Sequence, residues 1–180
     1  MAHLDRGRRI GENKSANVAI PDSLMRATDI ILLNAREVRR RSEILWRGIP
    51  TDALRRKPDA EAMSALEMAR HVLEGEYLYM LMAKEGRSVS EDRSPFAGRP
   101  FVGIEEELTF AAQYRAEFEG MLAGLEDEEL ESRVIDRSDV GYKRKLGDFL
   151  LRAIYHESVH CGQLLGYLRT MGVPRPKVWD

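Results

Sequence analysis

"YHESVHCGQLLGYLRTMGVPRP", residues 155–176, carries the spelling H-E-x-x-H from His156 to His160 inside a long run of helical periodicity. A helix advances about 100° per residue, so His156 and His160 lie about 40° apart around its axis and one turn apart along it. Two imidazoles so placed can grip one ion. The same face carries Phe149, Ala153, Gln163, Leu164 and Tyr167, so the pair is expected to look inward. Gly172-Val173-Pro174 then supplies a plain C-terminal stop.

The same spelling is used by zinc proteases, in which two histidines hold the metal and the glutamate activates a bound water. In the common families a third ligand follows the motif. Here only 20 residues follow His160, none of them histidine, and the sole carboxylate among them is Asp180. The downstream ligand is missing, and the zincin protease reading is set aside. Glu157 reads instead as a flanking residue in a salt bridge or at a helix interface.

Three further segments have helical periodicity, and no convincing strand alternation interrupts them. The first is expected after Pro21-Asp22, with Asp22 as cap, and runs to about Arg47 before Gly48 and Pro50. The second starts near Ser64, where Ser-Ala-Leu-Glu spells a capping box ending in Glu67, and continues to about Glu85 before Gly86. The third covers Ile104 to Ala123, and the fourth, which holds the motif, Leu146 to Met171. Between the second and third lies "RSVSEDRSPFAGRPFVG", too polar and too rich in Gly, Pro and Ser for a core element; it is expected to form a crossover, a lid or a mobile segment. "ESRVIDRSDVGYKRK" joins the last two and has room for a turn or a short extended piece. The economical architecture is a four-helix bundle. Residues 1–20 are expected to form a flexible tail and 21–180 a single domain.

Of the four histidines, His71 falls on the inner stripe of the second segment, among Met68, Gly75, Leu78 and Met82. It is a plausible third ligand from across the bundle. A buried histidine needs a partner for each ring nitrogen, and a shared metal supplies one for all three. The alternative is a set of hydrogen-bonded core histidines. Gln163 lies close in angle to His156 and can orient an imidazole or a bound water, as can Tyr167. Cys161 lies about 100° from His160, so its thiol should face a neighbouring helix as a small hydrophobe.

Composition excludes several classes. At 43% hydrophobic and 32% charged the chain is an ordinary globular one, and a net charge of -2 gives no reason to expect nucleic acid. Arg39-Arg40-Arg41 reads as the wet face of a helix. The N-terminus lacks the apolar core of a signal peptide, and nowhere do about 18 apolar residues run together as a membrane span requires. One cysteine cannot form an internal disulfide, which agrees with a cytoplasmic setting.

His156-Glu157-x-x-His160-x-Gly162-Gln163-Leu164-Leu165, with Tyr167-Leu168-Arg169 and Gly172-Val173-Pro174, resembles the last helix of the DinB-like (YfiT-type) proteins. "SALEMARHVLEGE", with His71, resembles their second helix, and "KLGDFLLRAIYHE" the entry into the last. The resemblance spans roughly residues 22–176. It implies an up-down-down-up four-helix bundle with a long crossover between helices 2 and 3, and one divalent metal, nickel or zinc, on His71, His156 and His160. It also implies a bundle that often forms homodimers. Two positions depart from the pattern: Cys161 stands where many relatives have arginine, and Val159 where many have another histidine.

Three protein ligands leave a coordination position for water or substrate, the pattern of a catalytic site. Several relatives in the wider superfamily are transferases or isomerases that use a low-molecular-weight thiol such as bacillithiol or mycothiol. The first functional expectation is therefore a metal-dependent transferase or hydrolase acting on a small molecule, with thiol S-transfer or detoxification as the reaction class. Arginine outnumbers lysine 22 to 6, which fits a GC-rich genome of the kind found in some mycothiol users. The alternative is a stress-associated metal-binding protein without catalysis. An open pocket at the metal lined by Phe96 or Phe101 would favour the enzyme, and a fourth protein ligand the alternative.

Overall fold

The structure, a computed structural model, describes residues 25–179. It is mostly helical, with α1 (Ala27–Arg47), α2 (Ala65–Glu85), α3 (Ile104–Ala123), α4 (Asp127–Ser132) and α5 (Leu146–Thr170). Between α4 and α5 lie strands β1 (Val134–Arg137) and β2 (Tyr142–Lys145). The expected tail, His3 and Asp22 lie outside the described residues.

Local signals explain most of the helix ends. At α2 the Ser64 hydroxyl accepts from the Glu67 N–H at 3.3 Å while the Glu67 carboxylate accepts from the Ser64 N–H at 2.7 Å. This satisfies two otherwise orphaned donors. Gly86, at φ 71°, then closes the helix in the left-handed region that glycine reaches without strain. The start of α1 differs from expectation. It begins at Ala27, and its first N–H groups are met by Asp127 of α4, which accepts from Ala27 and Thr28 at 2.9 and 3.0 Å. Locally, Asp29 accepts from the Arg26 N–H at 3.1 Å, but the cap on Ala27 and Thr28 comes from about 100 residues away and has no local spelling to read.

The expected all-α class of four helices is amended by a short fifth helix, α4, and by the antiparallel β1–β2 hairpin, paired from Val134 with Lys145 to Arg137 with Tyr142, which fills the segment expected to have room for a turn or a short extended piece. Ile135 is fully buried while its neighbour Val134 is exposed. That is strand alternation, but four residues are too few for a period of two to stand out.

α1 packs against α3 and α5, and α2 packs against the same two. The interior forms two apolar clusters. One gathers Leu45, Trp46, Leu66, Met68, Leu164 and Leu168; the other gathers Ile31, Met80, Phe118, Leu122, Phe149 and Leu150. Between them every long helix contributes one charged residue: Arg39, Glu76, Arg115 and Glu157. Arg39 donates Nε and Nη2 to the Glu157 carboxylate at 2.9 and 3.0 Å and approaches Glu76 at 3.3 Å. Arg115 binds Glu76 as well, and reaches Glu119 at 2.8 Å. The expectation that Arg39 belongs to a wet face is therefore overturned, since it is 5% exposed. Three arginines in a row span about 200° of the helix circumference, so a run of three can reach from the wet face round to the core.

The crossover, residues 86–103, is strapped down. Phe96 is buried with its ring edge-on to Phe110 and near Tyr114. Arg70 of α2 donates to the carbonyls of Arg99 and Pro100 at 2.6 and 2.7 Å, pairs with the buried Glu107 carboxylate, and lies 3.7 Å from the centre of the Phe101 ring. At the chain's other end Pro176 sits over Gly48, where a Cβ would come within 2.5 Å of it.

Candidate metal centre

α2 and α5 are antiparallel neighbours, which brings His71 of one opposite His156 and His160 of the other. The three rings meet edge to face, with centroids 4.9, 4.8 and 4.6 Å apart. One ligand nitrogen from each lies within 4.8 Å of the others, and the closest pair, His71 Nε2 and His156 Nε2, is 3.0 Å apart. A tetrahedral ion with metal–nitrogen bonds of about 2.0–2.1 Å sets its ligand nitrogens about 3.3 Å apart. The 3.0 Å pair lies near that value and all three nitrogens lie within 4.8 Å, so the donor set is of a kind that suits one ion.

The surroundings favour neutral imidazoles. Burial pushes His156 down to about 4, and neighbouring His160 and His71 add to the effect. Burial and His160 lower His71 in the same direction. Neutral rings with lone pairs are what a metal requires. His160 Nδ1 is 3.0 Å from Gln163 Oε1, and Gln163 Nε2 donates to the Tyr167 hydroxyl at 2.6 Å. Donation from Nδ1 to the amide oxygen leaves the His160 Nε2 lone pair free to face the other rings.

Gly75, one turn after His71, makes room for this arrangement. A Cβ there would stand 3.0 Å from Cε1 and 3.4 Å from Nδ1 of His156. Glycine inside a helix costs about 1 kcal/mol relative to alanine, and here its missing side chain is the space an imidazole occupies.

Residues 34–164 match the profile of the DinB superfamily. The chain belongs to the DinB superfamily. It is 32% identical over 117 residues to the uncharacterized protein YjoA of Bacillus subtilis (strain 168), covering 64% of this chain and 72% of that one. The crystal structure of the DinB-like protein YjoA superposes with a TM-score of 0.63 at 28% identity, covering 84% of this chain and 98% of the other.

In this DinB-superfamily chain the histidines are not directed into the core as the helical pattern implied. His71 is exposed, and His156 and His160 are half-buried. The centre of the buried stripe of α5 runs through Ile154, Glu157, Leu164 and Leu168 instead. The triad therefore lies on the shoulder of α5 that faces α2, one residue's rotation from the core.

Cys161 looks toward α1, as expected. Its Sγ is 3.0 Å from the Ser42 hydroxyl, and burial pushes the thiol up to about 11. It lines a groove of about 430 Å³ between α1 and α5, together with Leu45, Leu165 and Trp179. The aromatic residues expected to line a substrate pocket are engaged elsewhere, Phe96 in the core and Phe101 over Arg70. Gly75 was legible in principle, since a glycine four residues after a histidine in an otherwise strong helix is a signal of close approach. Among the described residues no helix is long and apolar enough to cross a membrane.

Proposed function

We propose that this chain holds one divalent transition metal, nickel or zinc, on His71, His156 and His160, and acts as a metal-dependent enzyme on a small molecule. The observation that carries the reading is the convergence of three ligand nitrogens within 4.8 Å on a face open to solvent. A closed structural site has four protein ligands, whereas three leave room for an exogenous one. The metal supplies Lewis acidity, which holds a bound water or a low-molecular-weight thiol in its deprotonated, nucleophilic form. The protein's own part is to keep His71 and His156 neutral, to fix His160 through Gln163 and Tyr167, and to leave the outer side of the triad accessible. Thiol-dependent S-transfer is the reaction class that this arrangement suits.

The reading extends to the rest of the molecule. Residue pairs rise together between α1 and α5 (Arg39 with Glu157, Ser42 with Cys161) and between α2 and α3 (Arg70 with Glu107, Glu76 with Arg115). They oppose between α1 and α3 (Arg36 with Glu119, Arg47 with Glu105). This supports the up-down-down-up order. The apolar Ile30 and Leu33 of α1 and Leu151, Tyr155 and Val159 of α5 are exposed, which supports pairing of two copies in a cytoplasmic homodimer. Sedimentation of Tyr155→Glu as a monomer beside a dimeric wild type would bear this out; identical sedimentation would count against that face.

Elemental analysis of untagged, dialysed wild type and His71→Ala tests the metal. About one nickel or zinc per chain, lost in the variant, is the expected result, since a three-nitrogen site loses most of its affinity with one ligand. Absence of metal from both, with refusal of added ions, would make the triad a set of hydrogen-bonded histidines and remove the enzymatic reading.

A further inference from the structure

Four residues before His156, on the same shoulder of α5, stands Arg152. Positions four apart lie about 40° around and about 6 Å along a helix, so Arg152 is the next side chain along the face that carries His156 and His160. Arginine side chains on a helix lean toward its N-terminus. Here that lean carries the guanidinium to 5.3 Å from the centre of the Tyr142 ring, where α5 meets the hairpin.

The same ring is shared by two more cations. Arg137 lies 5.4 Å and Arg144 5.2 Å from its centre. Arg137 donates Nε to the Ser88 hydroxyl at 3.0 Å and Nη1 to the Tyr142 hydroxyl at 2.8 Å. Arg144 donates Nη1 to Asp148 at 2.6 Å. The nearby carboxylate of Asp136 is taken by Lys143 at 2.6 Å and by the Ser138 hydroxyl at 2.6 Å. Of the three guanidinium groups, only that of Arg144 holds a carboxylate among the described residues, that of Asp148.

Arg152 itself makes no hydrogen bond and no ion pair among the described residues, and its Nε is buried without a partner, as is that of Arg144. Elsewhere in the chain Arg36, Arg39 and Arg47 each hold a carboxylate. A buried charged donor left unmet is costly, and cations set around one ring repel one another. A planar fork with free donors beside two further cations is matched by an oxyanion, which guanidinium groups bind bidentately.

We propose that Arg152, assisted by Arg137 and Arg144, binds the carboxylate or phosphate of a small substrate whose other end reaches the histidines. That the anion belongs to a substrate rests on the metal-site reading; that an oxyanion binds at Arg152 does not. The substrate is then a bifunctional molecule, with its reactive group at the triad and its anionic group more than one helical turn away, on the hairpin side.

The test uses the full chain, metal-free and metal-loaded, titrated at low ionic strength with inorganic phosphate and separately with acetate. The arginine Nε–H resonances in nitrogen-labelled protein report binding. Saturable binding that shifts the Arg152 signal in wild type, weakens about tenfold or more in Arg152→Gln and is partly kept in Arg152→Lys is the expected result, because lysine retains charge but not the fork. Tighter phosphate assigns a phosphorylated substrate, and tighter acetate a carboxylate. Arg175→Gln, an exposed change elsewhere, should bind as wild type does. Lack of saturation with both anions overturns the proposal, and so does unchanged affinity in Arg152→Gln. Binding that appears only with metal and survives Arg152→Gln would put the anion on the metal, sinking the Arg152 site while sparing the metal. Binding lost with Arg152 in protein that takes no metal would do the reverse. Should Arg152→Gln unfold, Arg152→Lys and the Arg152 resonance carry the same decision.

Discussion

His156 and Glu157 are neighbours in the chain, and they enter opposite environments. Glu157 turns into the centre of the bundle, where Arg39 meets both its oxygens and Glu76 and Arg115 complete a charged layer between two apolar ones. His156 turns about 100° away, to a face open to solvent, and its nearest polar neighbour is another imidazole. The first region satisfies its charges internally and is fixed by doing so. The second sets imidazole against imidazole on an accessible face, with no opposite charge holding the rings in place as Arg39 holds Glu157.

The contrast can be broken most severely from the core side. Glu157→Gln leaves Arg39 facing Glu76 alone, and losing one partner of a buried pair should destabilise the protein by about 3 kcal/mol. Denaturant unfolding would measure it, with the metal content of the folded variant unchanged. A change below about 1 kcal/mol would mean that the charged layer contributes no more than a surface pair does.

Gly75→Ala acts in the opposite sense. Alanine strengthens α2 by about 1 kcal/mol of helix propensity, but its methyl crowds the His156 ring. The expected outcome is stability equal to or above wild type with metal affinity lowered about tenfold, the size of effect usual for residues that support a ligand. Competition with a chelator reads the affinity, and an unchanged value would show that the ring has slack.

Acidity separates the two regions more gently. An unfolded histidine takes a proton near about 6.5, while His156 in the fold resists until about 4. Over that window the unfolded chain holds more protons, so the metal-free protein should lose stability as pH falls from about 6.5 toward 4. Burial tends to raise the Glu157 carboxyl, but Arg39 more than offsets this and holds it below its ordinary 4.5, so its contribution is lost only lower down. Melting temperatures of wild type and His156→Asn across pH 7.5 to 4 would differ in slope, on the order of the His156 share. Parallel curves would contradict the assignment. Metal binding should weaken over the same window, because the ligands must be deprotonated.

Legibility in the sequence followed the range of each interaction. The Ser64–Glu67 box, the Gly86 stop and the bounds of α3 rest on neighbours a few residues apart, and periodicity with local chemistry reveals them. The i,i+4 histidine pair is equally local, and His71 could be added because a helix stripe limits where a partner can stand. What stayed hidden depends on distant partners. The cap from Asp127 to α1, the burial of Arg39 and the strapping of the crossover by Arg70 involve contacts 29 to 118 residues apart. Sequence also misjudged the facing of the triad by one residue, since several faces of α5 are apolar and only the neighbours decide which is central.

The charged layer also has a consequence for biosynthesis. Arg39 is made 118 residues before Glu157, whereas Arg70 and Glu107 are only 37 residues apart. A nascent chain can therefore join α2 to α3 while α5 is still inside the ribosome, but the inward arginine of α1 then lacks Glu157, the carboxylate that meets it with two hydrogen bonds. Closure around the histidines has to wait for release of the last helix, the one that brings two of the three rings. Until α5 emerges, His71 stands without the two imidazoles that later meet it edge to face.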